Sequence, residues 1–166
     1  MIRRRLALRV LAVLLGAVGA TVVPSSAQAV PNPVPPWSGH VYNGQSPHCL
    51  DASTPNVKLR TCDNTSYQQW LKPARFQPNS ITTGGRCLDD GAGTNGYPVK
   101  VATCDFNNVH QKWYYNADFT IVNAASGRCL DADLGTINQE GTKVQVWDCA
   151  GGANQQWYFE FTPADG

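Results

Sequence analysis

From residue 40 onward, no long stretch of the chain repeats its apolar residues at helical spacing. Short β-branched or aromatic runs stand instead between Gly, Asn, Asp and Pro; Val57–Asp63, Val99–Asp105 and Val144–Cys149 are examples. Apolar runs of this length, closed off by turn-forming residues, predict short strands joined by tight turns, and so an all-β domain.

The runs are also periodic. Cys-Leu-Asp occurs at Cys49-Leu50-Asp51, Cys87-Leu88-Asp89 and Cys129-Leu130-Asp131. Each is followed by a Val-x-(Leu/Val) run that ends at a second cysteine, and then by Gln-x-Trp: Gln68-Gln69-Trp70, Gln111-Lys112-Trp113 and Gln155-Gln156-Trp157. The tryptophans are 43 and 44 residues apart. Propeller blades share a period near 40, but a propeller typically has about 4–8 blades of four strands. Three units of four short strands around a threefold axis fit the count better. In such a fold Trp70, Trp113 and Trp157 meet near the axis and fill the core. Gln68, Gln111 and Gln155, two residues earlier, are expected on the same strand face, where their amides can bond backbone left unpaired by a curved hairpin.

All six cysteines fall on the repeat, two per copy. Six cysteines allow 15 pairings, and threefold symmetry favours Cys49–Cys62, Cys87–Cys104 and Cys129–Cys149. Each bridge closes a loop of roughly 15 residues, worth about 3 kcal/mol in the chain-entropy model. Neither Cys-x-x-Cys nor His-x-His spacing occurs, so no metal site is expected.

The first 29 residues have the form of a secretory signal. Arg3, Arg4, Arg5 and Arg9 precede or open an apolar run from Val10 to Val23, and Ala27-Gln28-Ala29 suits cleavage before Val30. A retained anchor is the alternative, but the run is short and Ala/Gly-rich against the roughly 20 strongly apolar residues a spanning helix needs. The expectation is a secreted, extracellular protein with no membrane insertion after cleavage. Residues 30–37, with prolines at Pro31, Pro33, Pro35 and Pro36, read as an extended linker. Residues 38–162 remain as the domain, in repeats of about 38–75, 76–117 and 118–162.

Cleavage changes the charge picture. Without the four leader arginines, nine basic and 12 acidic residues remain, a net charge of −3. That argues against a nucleic-acid partner, which needs a clustered basic face, and against adhesion to acidic lipid by charge alone.

The three Cys-Leu-Asp segments, the three Gln-x-Trp triplets and the run Val144-Gln145-Val146-Trp147-Asp148-Cys149 together resemble the ricin-B-type lectins and the related trefoil carbohydrate-binding modules. The resemblance covers about residues 40–161. It implies a β-trefoil that binds galactose-type sugars or polysaccharides such as xylan or mannan, without catalysis.

Sugar binding calls for a carboxylate to accept hydrogen bonds from vicinal hydroxyls, an aromatic face for the C–H side of the ring, and amides to complete the pattern. The resemblance places these roles on Asp131, Gln145, Trp147, Asn154 and Gln155, all in the third repeat. Gln145 and Trp147 alternate onto one strand face. The second repeat keeps Asp89 and Gln111, a possible weak second site, but has Lys100, Ala102 and His110 at the other positions. Phe106 is a nearby ring, on the far side of Cys104 from Ala102. The first repeat keeps Asp51 and Gln68 but has Lys58, Arg60 and Tyr67. It is also shortened: Asp51 to Cys62 is 11 positions, against 15 and 18 in the later copies. Asp51 and Asp89 are therefore expected to serve turns. In the third repeat too, Asp131 could hold an Asx turn, Trp147 could pack under a loop and Asn154 could cap a turn.

Enzyme signals are poor. Asp89 and Asp90 are adjacent, so on a strand they face opposite ways and form no acid/base pair. His40, His48 and His110 lack a nucleophile partner, and there is no phosphate loop or zincin motif. No cofactor is expected, and calcium is not required because no carboxylate cluster would hold it. A neutral glycan is the expected partner. A trefoil scaffold that binds a protein, or acts as an inhibitor, is the alternative. The choice of sugar and the oligomeric state are left open.

Overall fold

The computed structural model describes residues 38–72 and 78–161. The expected leader at 1–29, the linker at 30–37, the first junction near 75–76 and the boundary at 162 lie outside those residues. Among the described residues, twelve strands fall into three sets of four. The first is β1 (Ser38–Asn43), β2 (Cys49–Asp51), β3 (Lys58–Arg60) and β4 (Trp70–Leu71). The second is β5 (Thr82–Thr83), β6 (Arg86–Asp89), β7 (Lys100–Thr103) and β8 (Trp113–Tyr115). The third is β9 (Ile121–Asn123), β10 (Cys129–Ala132), β11 (Thr142–Trp147) and β12 (Trp157–Phe161). Every pairing is antiparallel, and β1 closes the ring of repeats by pairing with β12 along five positions. The protein is all-β, and the architecture is a β-trefoil.

The core is the expected one. Val57, Val99 and Val144 are fully buried, and their backbones link across the repeats, Val57 N–H to Val99 O at 2.8 Å and Val99 N–H to Val144 O at 3.0 Å. Trp70, Trp113 and Trp157 are also fully buried. Each indole N–H donates to the carbonyl of the leucine in its own Cys-Leu-Asp, at 2.8, 2.9 and 2.9 Å to Leu50, Leu88 and Leu130. The polar atom of each ring is thus satisfied within the core, so its apolar area is buried without a desolvation penalty. The disulfides are Cys49–Cys62, Cys87–Cys104 and Cys129–Cys149, as symmetry favoured.

One expectation needs correcting. Gln68, Gln111 and Gln155 do not sit on strands; each ends a single 3-10 turn, at Ser66–Gln68, Val109–Gln111 and Ala153–Gln155. The turn swings the amide inward. Gln68 donates to Thr61 O at 3.0 Å and accepts from Asp63 N–H at 2.9 Å. Gln111 does the same with Thr103 O and Asp105 N–H, and Gln155 with Asp148 O and Ala150 N–H. Each amide therefore holds the bend beside the second cysteine of its repeat. The role in satisfying unpaired backbone is the expected one; the local structure that delivers it is not.

The repeats also lock together in rotation. The hairpin loop of each copy pairs with the third strand of the next. Pro55 O accepts from Val101 N–H at 2.9 Å, and Tyr97 O accepts from Val146 N–H at 3.0 Å. Thr142 pairs with Leu59 to close the circle. The strand that carries the candidate site is therefore walled by the repeat before it.

Candidate functional site

The register of β10 against β11 sets Asp131 opposite Gln145 and Cys129 opposite Trp147. The Cys129–Cys149 bridge ties the two strands just beyond. The result is an open cleft of about 330 Å³, lined by Asp131, Asp133, Leu134, Gln145, Trp147, Ala150, Asn154 and Gln155. All five residues predicted in the third repeat line it.

Asp131 is at its centre and only 4% exposed. Its Oδ1 accepts from Gln145 Nε2 at 3.0 Å. Its Oδ2 accepts from Asn154 Nδ2 at 2.9 Å and Gln155 Nε2 at 2.8 Å. Burial pushes the Asp131 carboxyl above the usual aspartate range; the amide bonds from Gln145, Gln155 and Asn154 pull it back only in part, and the charge of Asp133 pushes it further up. Gln155 has no capacity left for a ligand, since both N–H groups are used and its Oε1 already accepts from Ala150 and Gly151. It orients Asp131 from the wall of the cleft. Both N–H groups of Asn154 are spent as well, the second donating to Ala132 O at 3.2 Å.

Trp147 is 43% exposed, so it does not pack under a loop. It lies against Gly96 of the second repeat's hairpin: a Cβ there would stand 3.3 Å from Trp147 Cζ3. Gly96 has φ +80°, which a side chain would strain as well as crowd. A polar clamp fixes this loop. Asn95 Oδ1 accepts from Arg128 Nε at 2.7 Å and Asp148 N–H at 2.9 Å, Asn95 Nδ2 donates to Asp148 Oδ2 at 2.7 Å, and Arg128 also donates to Gly93 O. From the first repeat, buried Asn43 donates to Asn154 O at 2.9 Å and so holds the 3-10 turn. Sequence reasoning missed Asn43, Asn95, Gly96, Arg128, Asp133 and Leu134. One signal was present: Asn43 and Asn123 each stand six residues before the first cysteine of their repeats, and Asn123 holds the second repeat's turn through His110 O.

The other two aspartates are used differently. Asp51 Oδ1 accepts from Ser53 N–H at 2.8 Å, and Arg60 Nε stands 3.7 Å away. Arg60, at the Trp147 position, also meets Glu140 Oε1 at 3.5 Å, and Glu140 accepts from Thr61 N–H at 2.8 Å. A cation and a carboxylate thus occupy the place where a stacking ring would stand. Asp89 Oδ1 accepts from Gly91 N–H at 2.7 Å, and its Oδ2 from Gln111 Nε2 at 3.0 Å. The candidate second pair, Asp89 and Gln111, is thus brought together, but both are buried and both work within the fold. The expected turn role holds for Asp51 and Asp89. Asp131 accepts no backbone N–H among the described residues, so it is not an Asx-turn residue. His110 has its Nδ1 2.7 Å from Asp90 Oδ1, and Phe106 is 77% exposed beneath Lys112 Nζ.

The comparisons with known proteins fall on the same elements. The family model described as "Ricin-type beta-trefoil lectin domain" matches residues 37–157. The chain is 27% identical over 128 residues to nigrin b of Sambucus nigra, covering 73% of this chain and 22% of that protein. It is 30% identical over 124 residues to serine protease 1 of Rarobacter faecitabidus, covering 69% of this chain and 22% of that protein. The chain spans less than a quarter of the length of these curated relatives. Among solved structures it is similar to the earthworm R-type lectin C-half in complex with GalNAc, at 16% identity and a TM-score of 0.63, covering 76% of this chain and 100% of that one. It is likewise similar to the designed threefold protein ThreeFoil, at 21% identity and a TM-score of 0.65, covering 72% and 95%. The family model takes in all three Cys-Leu-Asp segments, all three Gln-x-Trp triplets and the cleft built around Asp131, and on that ground the chain belongs to the ricin-type β-trefoil lectin domain family.

Proposed function

We propose that this protein is a secreted lectin that binds a neutral pyranose or polysaccharide through its third repeat, galactose-type first and xylan- or mannan-type behind. The observation that carries the reading is the setting of Asp131: a buried carboxylate held by three side-chain amides, in an open cleft beside the half-exposed ring of Trp147. A carboxylate fixed in this way can accept hydrogen bonds from two adjacent hydroxyls at once, while the indole covers the apolar face of the sugar ring. The relatives support the sugar class; the leader motif at residues 1–29 supports export.

The same lining supports binding without catalysis. Among the described residues it has no serine, cysteine, histidine or lysine, and of its two carboxylates Asp131 is held by three side-chain amides while Asp133 accepts from Thr136 Oγ1 within its own loop. A small open site of this kind should hold a monosaccharide at about 0.1–1 mM, or roughly −4 to −5.5 kcal/mol. A glycan array on protein beginning at Val30, followed by calorimetric titration of the best monosaccharide, tests the reading. An array blank for all glycans, with binding to a protein partner instead, would overturn it. A glycosidase screen should show no turnover.

A further inference from the structure

The cleft has an unequal supply of donors and acceptors. Most of its side-chain donors are spent: both N–H groups of Asn154 and of Gln155, and one of Gln145, already serve Asp131 or backbone carbonyls, which leaves the second Gln145 N–H and the indole N–H of Trp147. Its acceptors are only part-used: Thr136 Oγ1 donates to Asp133 Oδ2 at 3.2 Å and the Gly135 N–H lies 3.5 Å from its Oδ1, but a carboxylate has about four acceptor sites. Asp131 and Asp133 bring two carboxylates to the lining. Gln145 adds a third oxygen. A carboxylate can only accept, so the amide end of Gln145 that faces Asp131 must be the NH₂. That leaves Oε1 on the Gly96 side, 3.9 Å from where a Cβ on that glycine would stand, buried and with no donor. An unpaired buried acceptor costs about 1–3 kcal/mol until a donor reaches it. Among the described residues no lysine or arginine lines the cleft. Lys143, two positions before Gln145 on β11, lies outside the lining.

We infer that this site takes a sugar bearing a free, protonated amine, a 2-amino-2-deoxyhexose or a chain ending in one, in preference to the same sugar with a hydroxyl or an acetamido group at that carbon. The inference rests on the sugar-site reading above and narrows it. An ammonium group has three donors and no acceptor, which matches a cleft with spare acceptors and few spare donors. It meets a local charge of two carboxylates and the π face of Trp147, both of which attract a cation. A hydroxyl also donates, but neutrally. An acetamido carbonyl asks for a donor that the lining has little of, and a uronic acid would add a third negative charge.

The test is calorimetric titration with matched sets in the galacto, gluco and manno series: amine, hydroxyl and N-acetyl forms, with the uronic acid as a fourth arm, at neutral pH and low salt. In the series that binds, the amine should be about three- to tenfold tighter than the hydroxyl sugar, the margin between charged and neutral hydrogen bonds. The N-acetyl form should be no tighter than the hydroxyl, and the uronic acid should be weakest. The amine-to-hydroxyl ratio should shrink as salt is raised and fall towards one in Asp133→Asn. If the hydroxyl sugar binds and the amine is equal or weaker, this inference is wrong while the sugar site stands. If the N-acetyl form is the tightest, the donor count is wrong. If no sugar of any set binds, both readings fail together.

Discussion

Asp51 and Asp131 hold the same place in their repeats, two residues after the first cysteine, and both are buried. Asp51 gives Oδ1 to the backbone N–H of Ser53 and Oδ2 to Gln68 Nε2 at 3.1 Å, and has Arg60 3.7 Å away. Asp131 gives both oxygens to side-chain amides and has the ring of Trp147 opposite Cys129 on the paired strand. The first arrangement neutralises a carboxylate and closes a turn. The second leaves it fixed and open to a cleft, with a ring in place of the cation. The difference does not lie in the aspartate. It lies in what the hairpin does next: in the short first loop the chain turns back at Ser53, whereas the longer third loop carries Asp133 and Leu134 out to form a wall.

The strongest way to break this comparison is to remove what only the third repeat has. Trp147→Ala and Asp131→Ala should each abolish measurable binding in calorimetry, with circular dichroism unchanged. The stacking face or the carboxylate is worth at least about 1–3 kcal/mol of a small total. If either variant binds normally, the working site is elsewhere.

Lowering the pH should weaken the site progressively. Desolvation raises the folded-state pKa of Asp131, so the acid gains its proton above the usual aspartate value of about 3.9 and becomes a poorer acceptor. Affinity should therefore fall as pH drops through a midpoint above that value. Folding responds with the opposite sign. A carboxyl with a raised folded pKa stabilises the fold when protonated, and that contribution is lost as pH rises through the raised pKa. Titrations paired with thermal melts, on the native protein and on Asp131→Asn, should show the two trends diverging; affinity that stays flat down to about pH 3 would remove Asp131 as the anchor.

A smaller effect is expected at Gly96, which belongs to the second repeat but backs the third. Gly96→Ala adds a Cβ 3.3 Å from the Trp147 ring on a backbone with positive φ. The strain is about 1 kcal/mol, and a displaced ring should cost several-fold in affinity on titration, with the melting temperature lowered only slightly. An unchanged affinity would mean that Trp147 needs no backing.

Almost no change in binding is expected at the second repeat. Asp89→Ala should leave sugar affinity as it is, while costing about 1–3 kcal/mol of stability by stranding the Gly91 N–H and the Gln111 amide. The sharper version places Lys100→Gln and Ala102→Trp together in an Asp131→Ala background. This restores two of the family's residues around Asp89, yet binding should stay undetectable because Gly91 still holds one carboxylate oxygen. Recovered binding would show that side chains alone separate the repeats.

Much of this was legible in the chain because it was said three times. The strand order, the tryptophan core and the disulfides follow from in-phase motifs that no single copy could have established. The five cleft residues were legible as one filled set against two depleted ones. What the sequence did not disclose depends on contacts between repeats. Nothing in Gly96 or Asn95 marks them as neighbours of Trp147, because 51 or more residues separate them and only the closed trefoil brings them together. Gln155 was misplaced for a local reason. Gln-x-Trp spacing reads as strand, but the buried Gln sits on a 3-10 turn whose side chain points in without strand alternation. Gln155 lines the cleft, but its amide bonds go to Asp131 and to the backbone at Asp148, Ala150 and Gly151.

The rotation of loops among the repeats bears on how such a site could be moved or rebuilt. The boundaries of the repeat are not the boundaries of the receptor. A graft cut at residues 118–162 would carry Asp131 and Trp147 but leave behind the Asn95–Gly96 buttress and the Asn43 tether. The smallest portable piece is one repeat together with its predecessor's hairpin and a strand from its successor around the ring. The same arithmetic runs in reverse for the second copy. Its third strand leans on Pro55 of the shortened first hairpin, so the residues missing from one copy are a wall missing from its neighbour.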